Sequence, residues 1–195
     1  SWSATAARGP LNVSDREMVT AAGATEHVGR PRLPRLVTAI ASRRDAVVLG
    51  ATALLASTDV VLVSRPGHMT RDSHDQLEQA RSLVLTDHHP VVMSVLWHYL
   101  DQLIPGPLGM LVLMSVLFWA GLAALLLTFR RPLVCRVVAM LAVGFFPPVF
   151  AIAGVIWKDT LMQAALLTGV GCLLVFLRSR RRWLLALGIA ACAFA

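Results

Sequence analysis

The sequence predicts an all-α fold, a polytopic bundle of membrane-spanning helices, on three observations. Hydrophobic residues make up 56% of the 195-residue chain and charged residues only 15%, against roughly 45–50% and about 25% in a soluble domain. The mean hydropathy is +0.67. Several apolar stretches also approach or exceed about 20 residues, the length with which a helix crosses the hydrocarbon core.

The apolar stretches follow one another through residues 44–195, which we interpret as the membrane domain. The third stretch contains Phe146 followed by two prolines. Because proline removes a backbone donor and clashes with the preceding turn, we expect a kink or break there. The fifth is cut off by the end of the chain, which indicates the N-terminal fragment of a longer protein. The predicted spans are 46–64, 108–128, 137–157, 160–177 and a truncated 183–195.

Residues 1–43 are rich in Ala, Thr, Gly, Pro and Arg without an apolar period, which predicts a disordered basic tail. With alternating spans, the 18 basic residues divide 14 to 4 between the two faces. Basic residues near span ends favour the cytoplasmic side. The N-terminus is therefore expected in the cytoplasm, the loop 65–107 outside, and the protein in the cell membrane. This distribution of positive charge indicates how the chain is oriented in the membrane. It argues against nucleic acid as a partner.

The loop 65–107 holds five of the six histidines and five of the eleven acidic residues. Apolar residues recur at helical spacing within 72–84, which predicts a juxtamembrane amphipathic helix with one face in lipid and one in water. A second apolar helix, too short to span, is predicted at 91–104 and is ended by Pro-Gly-Pro. The polar face of the first helix comprises Asp72, Asp75, Gln76 and Gln79.

Asp72 is the first candidate for a reacting group. It begins the first predicted loop helix at the membrane surface, where a carboxylate can accept a proton from a hydroxyl. The alternative is structural, with Asp72 as the N-cap of the helix and Asp75 in its first turn. The two roles are compatible.

His88 and His89 precede Pro90 and are candidates for contact with a phosphate or for capping the helix that follows. Adjacent histidines point in different directions on a regular element, which makes a shared metal awkward. A divalent cation held by Asp72, His74 and His88 is nevertheless the alternative. The sequence has no Walker or Rossmann glycine-rich loop, so we expect no nucleotide cofactor and leave a divalent cation open.

Lys158 and Asp159 stand at the outer start of the fourth span. Lys158 either binds phosphate or extends its charged group to the interface, and Asp159 either caps its helix or belongs to the site. Asp59 lies inside the first span, where acidic residues are functional candidates. If Asp59 lies near the interface, an ion pair with a residue such as Arg65 would be sufficient to stabilise its charge.

Three motifs of this chain, taken in their order along the sequence, resemble the GT-C superfamily of membrane glycosyltransferases. The resemblance is to its protein mannosyltransferase and aminoarabinose transferase branches. Ser73 stands where those enzymes often have Glu. The resemblance covers about residues 46–177 and is closest to a poorly characterised bacterial group of the superfamily. The motifs that carry it are PGHMTRDSHDQLEQA, with the outer Asp; DHHPVVMSVLWHYL, similar to a PPL-type helix start; and WKDTLMQAALL, with an Asp opening the fourth span.

The resemblance implies a GT-C-like fold and an inverting transfer of sugar from a polyprenyl-phosphate donor to an acceptor hydroxyl on the outer face. Asp72 would act as the general base. The implied partners are the lipid bilayer and the lipid-linked donor. Because whole members of the superfamily have more spans, the fragment is expected to be inactive alone. The implied substrate- or phosphate-binding residues are Arg71, Asp75, His88, His89, Lys158 and Asp159.

Two other functions remain open at this point. Asp59 and the proline-broken third span would suit a transporter or channel subunit, although the acidic residues concentrate in an interfacial loop and not at the bilayer midplane. A non-catalytic membrane scaffold would use the loop only to bind a partner, and Asp72 and Asp159 would then be dispensable. The sequence indicates neither the sugar, nor the acceptor, nor the oligomeric state.

Overall fold

The computed structural model describes residues 35–84 and 91–195, with side chains described from Arg43 onward. Residues Ala39–Ala195 form one compact unit. The described residues form eight helices and one pair of two-residue strands. These elements are α1 (Arg35–Ser64), β1 (His68–Met69), α2 (Arg71–Ser82), α3 (Val91–Leu103), α4 (Leu108–Leu127), α5 (Leu133–Gly144), α6 (Pro147–Ala153), β2 (Val155–Ile156), α7 (Lys158–Ser179) and α8 (Arg182–Phe194).

The prediction of an all-α fold with helices that could span a membrane is confirmed. Within the described ranges, three helices are long and apolar enough to cross a membrane, and α5 with α6 makes a fourth if the bent pair is one span. The helix α8 is apolar but shorter. The three long segments are Arg43–Ser64, Leu108–Leu127 and Lys158–Ser179.

The first helix begins earlier than the predicted end of the tail at residue 43. Residues 1–34 lie outside the described part of the chain, and α1 begins at Arg35. The sequence contains no proline between Arg35 and Arg65 and is rich in Ala, Leu and Arg there, all of which favour helix. The helix α1 therefore begins before the predicted boundary at residue 43, and the disordered tail stays a prediction.

The helices α4 and α7 run parallel to each other. Thr168 Oγ1 donates to the Leu117 carbonyl at 2.5 Å, and Arg178 Nη1 donates to the Leu127 carbonyl at 3.5 Å. The first contact is near the middle of both helices and the second is near both C-termini. The starts of α4 and α7 consequently lie at the same end of the bundle.

The helix α1 runs antiparallel to α4. Ser57 Oγ and Ser115 Oγ are hydrogen-bonded at 3.1 Å across the pair. Beyond the C-terminus of α1, a Cβ on Gly67 would lie 3.6 Å from Leu111 Cβ, close to the start of α4. The C-terminus of α1 is therefore at the same end as the starts of α4 and α7.

The prediction of a break near Phe146 is confirmed, because α5 and α6 are bent by 65° there. At its start α5 is joined to α1 by an ion pair between Arg136 and Asp45. After α6, a Cβ on Gly154 would lie 2.5 Å from Ser64 Oγ. Asp45 and Ser64 are about 28 Å apart along a helix axis, close to the hydrocarbon thickness of about 30 Å. The bent pair thus joins the two ends of the bundle, and we interpret it as one broken crossing.

The charged residues are sorted between these two ends. We call the end with β1, β2 and the starts of α2, α4 and α7 the acidic end, and the opposite end the arginine end. At the arginine end the carboxylate of Asp45 is paired with Arg136. The acidic end carries Asp72, Asp75, Glu78, Asp101 and Asp159, and the arginine end carries Arg43, Arg44, Arg130, Arg131, Arg136, Arg178, Arg180, Arg181 and Arg182.

The apolar face of α2 is buried against protein, which corrects the expectation that it lies in lipid. Its residues Leu77 and Ala80 share a core with Trp97 of α3 and Leu161 of α7. Gln76 is also buried, with 1% of its surface exposed, although the sequence period assigned it to the wet face. The helices α2 and α3 therefore pack onto the bundle and cover its acidic end.

Candidate functional site

A short parallel strand pair joins the chain after α1 to the chain after α6. His68 is paired with Val155, and Met69 with Ile156. Adjacent strands lie about 4.8 Å apart, so α2 and α7, which follow the strands directly, begin side by side. Ser73 Oγ in the first turn of α2 donates a further hydrogen bond to the Ile156 carbonyl.

Gly67 makes the close approach of these segments possible. It has a φ of +115°, a backbone conformation that side chains disfavour. A Cβ at this position would also lie 2.7 Å from Ile156 Cδ1. A glycine is therefore required where the chain turns from α1 into β1.

The strand register aligns two similar sequences, GHMTRDSHDQ from Gly67 and GVIWKDTLMQ from Gly154. Both have a glycine before the strand, then a basic residue, an aspartate and a hydroxyl residue at the first three helix positions, and a glutamine three residues later. Arg71 and Asp72 of α2 correspond to Lys158 and Asp159 of α7. The prediction from sequence had noted the two aspartates separately and had missed this repeat, which was the available signal that they belong together.

Asp72 is not the N-cap of α2, which corrects the structural alternative. The N-cap is Thr70, whose hydroxyl accepts from the Ser73 backbone N–H at 3.3 Å while Ser73 Oγ accepts from the Thr70 N–H at 3.3 Å. Asp72 is the second residue of the helix, and Asp75 lies beyond the first turn. The side chain of Asp72 is therefore free of the capping role.

Asp159 is in the same position on α7. The N-cap of that helix is Trp157, which makes no side-chain capping bond, so Asp159 is not a cap either. A carboxylate in the first turn is favoured by the helix dipole, but this requires no specific partner. Both aspartates are exposed, and the ion pairs found within the described ranges involve neither of them.

The cationic groups beside these carboxylates are also unpaired within the described part of the chain. Arg71 is exposed and Lys158 is half-buried. Asp75 is exposed one turn after Asp72, on the same side of α2. The strand pair therefore brings together two helix starts that each carry a cation followed by an exposed aspartate.

The other predicted site residues are placed less closely or not at all. His74 is exposed and lines a shallow surface depression with Glu78 and Arg81. His88 and His89 lie outside the described residues. The described residues contain no group of three or more His, Cys, Asp or Glu side chains that could hold a metal ion, and the alternative metal site also needed His88.

The far end of α2 is attached to α3. Arg81 Nε and Nη2 donate to the two oxygens of Asp101 at 2.9 and 3.0 Å, and Asp101 also accepts from the Gly106 N–H at 2.6 Å. The hydrogen bond from Arg81 holds the pKa of Asp101 below its usual value, against a smaller opposing effect of burial. With Ser73 bound at one end and Arg81 at the other, α2 presents Asp72 from a fixed position.

Asp59 is exposed on α1. The suggested partner Arg65 makes no ion pair with it, as the described ion pairs are Arg81–Asp101 and Arg136–Asp45. An acidic side chain on the outside of the bundle does not line an interior path. The geometry therefore gives Asp59 no place in the cluster at the starts of α2 and α7.

Comparison of the chain with protein-family models, curated proteins and solved structures found no match. The resemblance to GT-C enzymes accordingly stays an expectation from the sequence motifs. What the arrangement can do chemically follows from its groups: a carboxylate can take a proton from a hydroxyl, and the cations with the helix N-termini can bind a phosphate.

Proposed function

We propose that the acidic end transfers a sugar from a polyprenyl-phosphate donor to an acceptor hydroxyl, as an inverting enzyme of the GT-C type. The observation that carries this proposal is the side-by-side start of α2 and α7, with Arg71–Asp72 beside Lys158–Asp159. A general base and a cationic site for a phosphate leaving group are the two requirements of such a reaction. In this proposal Asp72 is the general base, and Arg71 with Lys158 forms the cationic site.

In the proposed reaction, Asp72 accepts the proton of the acceptor hydroxyl as its oxygen attacks the anomeric carbon. The new carbon–oxygen bond forms on the face opposite the phosphate, so the configuration inverts. The bond from the anomeric carbon to the phosphate oxygen breaks, and polyprenyl phosphate leaves with the electron pair. Arg71, Lys158 and the helix N–H groups stabilise the added negative charge.

The remaining acidic residues bind substrate in this proposal. Asp75 and Asp159 flank Asp72 and accept hydrogen bonds from hydroxyls of the acceptor or sugar. The resemblance assigns His88 and His89 to the phosphate, and their role rests on that resemblance alone. No step requires a nucleotide cofactor.

The charge distribution supports an orientation for the reaction. Because basic residues favour the cytoplasmic side, the arginine end and the N-terminus face the cytoplasm, and the acidic end faces outward. The donor is then taken from the outer leaflet of the cell membrane, with its polyprenyl chain alongside the exposed apolar surfaces of the bundle. The lipid bilayer and the lipid-linked sugar are the partners this implies.

The broken crossing favours a second candidate, a transporter or channel subunit, because broken helices often line cavities. All seven residues of α6 are described and none is buried, and Asp59 is exposed on α1. Neither feature provides an enclosed polar path. Sugar transfer is therefore the better-supported function.

The test uses the full-length protein in membranes with radiolabelled polyprenyl-phosphate sugars, comparing Asp72→Asn with wild type. We expect the transfer rate to fall by about 10²–10⁴-fold, the usual contribution of a general base. Because Thr70 caps α2, the helix start should stay intact. The matched control is Glu78→Gln, an exposed carboxylate on the same helix, which should retain activity.

Equal transfer by wild type and Asp72→Asn would contradict the role of Asp72. If wild type consumes none of the donors while solute uptake is measurable, the transporter candidate replaces the enzyme. If neither activity is found and Asp72→Asn leaves every phenotype unchanged, the scaffold interpretation is favoured.

A further inference from the structure

Gln76 is a buried amide without a partner among the residues that the structure describes. Only 1% of its surface is exposed, and its Nε2 makes no hydrogen bond to them. Burying an unpaired donor destabilises the folded state. An apolar residue of the same size would avoid this cost. Stability therefore does not explain why an amide stands at this position.

The position of Gln76 on α2 relates it to the junction of this helix with α7. Gln76 and Ser73 are three residues apart and share one face of the helix, and Ser73 Oγ binds the Ile156 carbonyl just before α7. Helix side chains also lean towards the N-terminus of their helix. Gln76 therefore lies on the face of α2 that carries Ser73, whose hydroxyl binds the chain just before α7.

Thr160 provides a second unpaired donor on the α7 side of this junction. Its Oγ1 is buried and makes no hydrogen bond, and it follows Asp159 directly. Leu77 and Leu161, the residues after Gln76 and Thr160, share one apolar core. The two unpaired groups thus belong to α2 and α7, the two helices that the strand pair joins at their starts.

We propose that Gln76 and Thr160 form a subsite that binds hydroxyl groups of the donor sugar. This rests on the proposed function, since it divides the same site into a phosphate part and a sugar part. The cations Arg71, which is exposed, and Lys158, which is half-buried, suit a charged phosphate. The neutral amide and hydroxyl donate to and accept from neutral hydroxyls, and their burial gives such bonds little competition from water. Gln76 and Thr160 are accordingly specificity-determining residues.

The experiment measures lipid binding by the purified full-length protein from the rise of its Tm with lipid concentration. The probes are polyprenyl phosphate without a sugar and the same lipid carrying glucose, mannose or arabinose. The variants are Gln76→Met and Thr160→Val, which keep the size of the side chain and remove the polar group. The matched control is Gln163→Met, the exposed counterpart of Gln76 in the second copy of the motif.

We expect wild type to bind one sugar-bearing lipid more tightly than the bare phosphate. Gln76→Met and Thr160→Val should weaken that binding by roughly tenfold to a hundredfold and leave the affinity for the bare phosphate unchanged. Without lipid, the Tm of Gln76→Met should be equal to or above that of wild type, because the removed amide was unpaired. Gln163→Met should change neither affinity.

Three results would overturn the subsite alone: equal loss of affinity for both lipids in the two variants, no loss for either lipid, or a wild type that does not distinguish the sugar lipids from the bare phosphate. A wild type that binds none of the probes would overturn the proposed function, and the subsite with it.

Discussion

Asp101 joins three parts of the acidic end through one carboxylate. It lies on α3, accepts both hydrogen bonds from Arg81 of α2, and accepts the N–H of Gly106 before α4. Only 16% of its side chain is exposed. Because the bond from Arg81 lowers the pKa of Asp101, the folded state binds a proton at this carboxylate less readily than the unfolded chain does.

The stability of the α2–α3 pair should therefore depend on pH. The contribution of Asp101 is complete above the ordinary aspartate pKa of about 3.9 and is lost as the pH falls below it, through the lowered pKa of the folded state. We expect Asp101→Asn to lower the Tm by roughly 2–4 °C at neutral pH and to flatten the decline below about pH 4. Thermal unfolding of the purified protein across this range measures both effects.

The control for this prediction is Glu78→Gln, which removes a carboxylate that has no ion pair in the described residues. Its acid-induced decline should match that of wild type. An Asp101→Asn variant with the wild-type pH dependence would show that the bidentate contact does not stabilise the pair.

At single residues, the sequence indicated candidates for the chemistry, which stay predictions, but it did not indicate their contacts. It identified Asp72 and Asp159 because exposed carboxylates beside a span are unusual. Its structural alternative made Asp72 the N-cap because Asp is a good cap, and only the backbone geometry shows that Thr70 has that role. It also placed Gln76 in water because amphipathic periodicity treats every glutamine as polar surface.

Close packing of α4 on α7 depends on glycine. A Cβ at Gly121 would lie 2.6 Å from the Thr168 backbone nitrogen and 2.8 Å from the Leu167 carbonyl carbon. These neighbours are backbone atoms, which cannot move away as a flexible side chain can. Since α7 carries Lys158 and Asp159, the spacing of this helix pair also positions half of the candidate site.

We expect Gly121→Ala to destabilise the protein by about 1–3 kcal/mol through overpacking. The measurement is thermal unfolding in detergent, with Gly50→Ala as the control. Gly50 lies on α1 with no heavy atom within 4 Å of an added Cβ. Alanine there should be neutral or stabilise the helix by about 0.5–1 kcal/mol. Equal Tm values for the two variants would contradict the close approach.

The elements show where prediction from the sequence succeeds and where it cannot. The helices α1, α4 and α7 were predictable because apolar composition is a property of one segment, and the break after α5 because proline acts on its own turn. The strands were not, because β1 and β2 have two residues each and no period. Their pairing depends on residues far apart in the chain, which no local pattern encodes.

For the whole molecule, the sorting of charge between the two ends gives a testable topology. We expect Glu78→Cys at the acidic end to react with a membrane-impermeant maleimide added outside intact cells. We expect Arg181→Cys at the arginine end to react only after the membrane is opened. Both variants are made in a protein in which Cys135, Cys172 and Cys192 are replaced by alanine, and the labelling of the two introduced cysteines is compared.

The reverse labelling pattern would contradict the proposed orientation. Labelling of both positions from outside would show that the two ends of the bundle lie on one side of the membrane. That result would also contradict the assignment of α5 and α6 to a single broken crossing. For the whole molecule, the division of the basic residues between the two ends could be predicted from the sequence. The adjacent position of the helix starts that carry Asp72 and Asp159 could not, because it depends on the fold.

The pairing of β1 with β2 also determines when the candidate site can form during synthesis of the chain. At about 5–20 residues per second, a ribosome needs roughly 4–17 s to proceed from Met69 to Val155. Throughout that interval β1 has no partner, and Ser73 has no Ile156 carbonyl to bind. The helices α5 and α6 lie between the two strands in the chain. β2 can therefore pair with β1 only after these helices have been made and have brought β2 to the end of the bundle where β1 lies. A chain still in synthesis therefore cannot assemble the proposed site before α5 and α6 have been made.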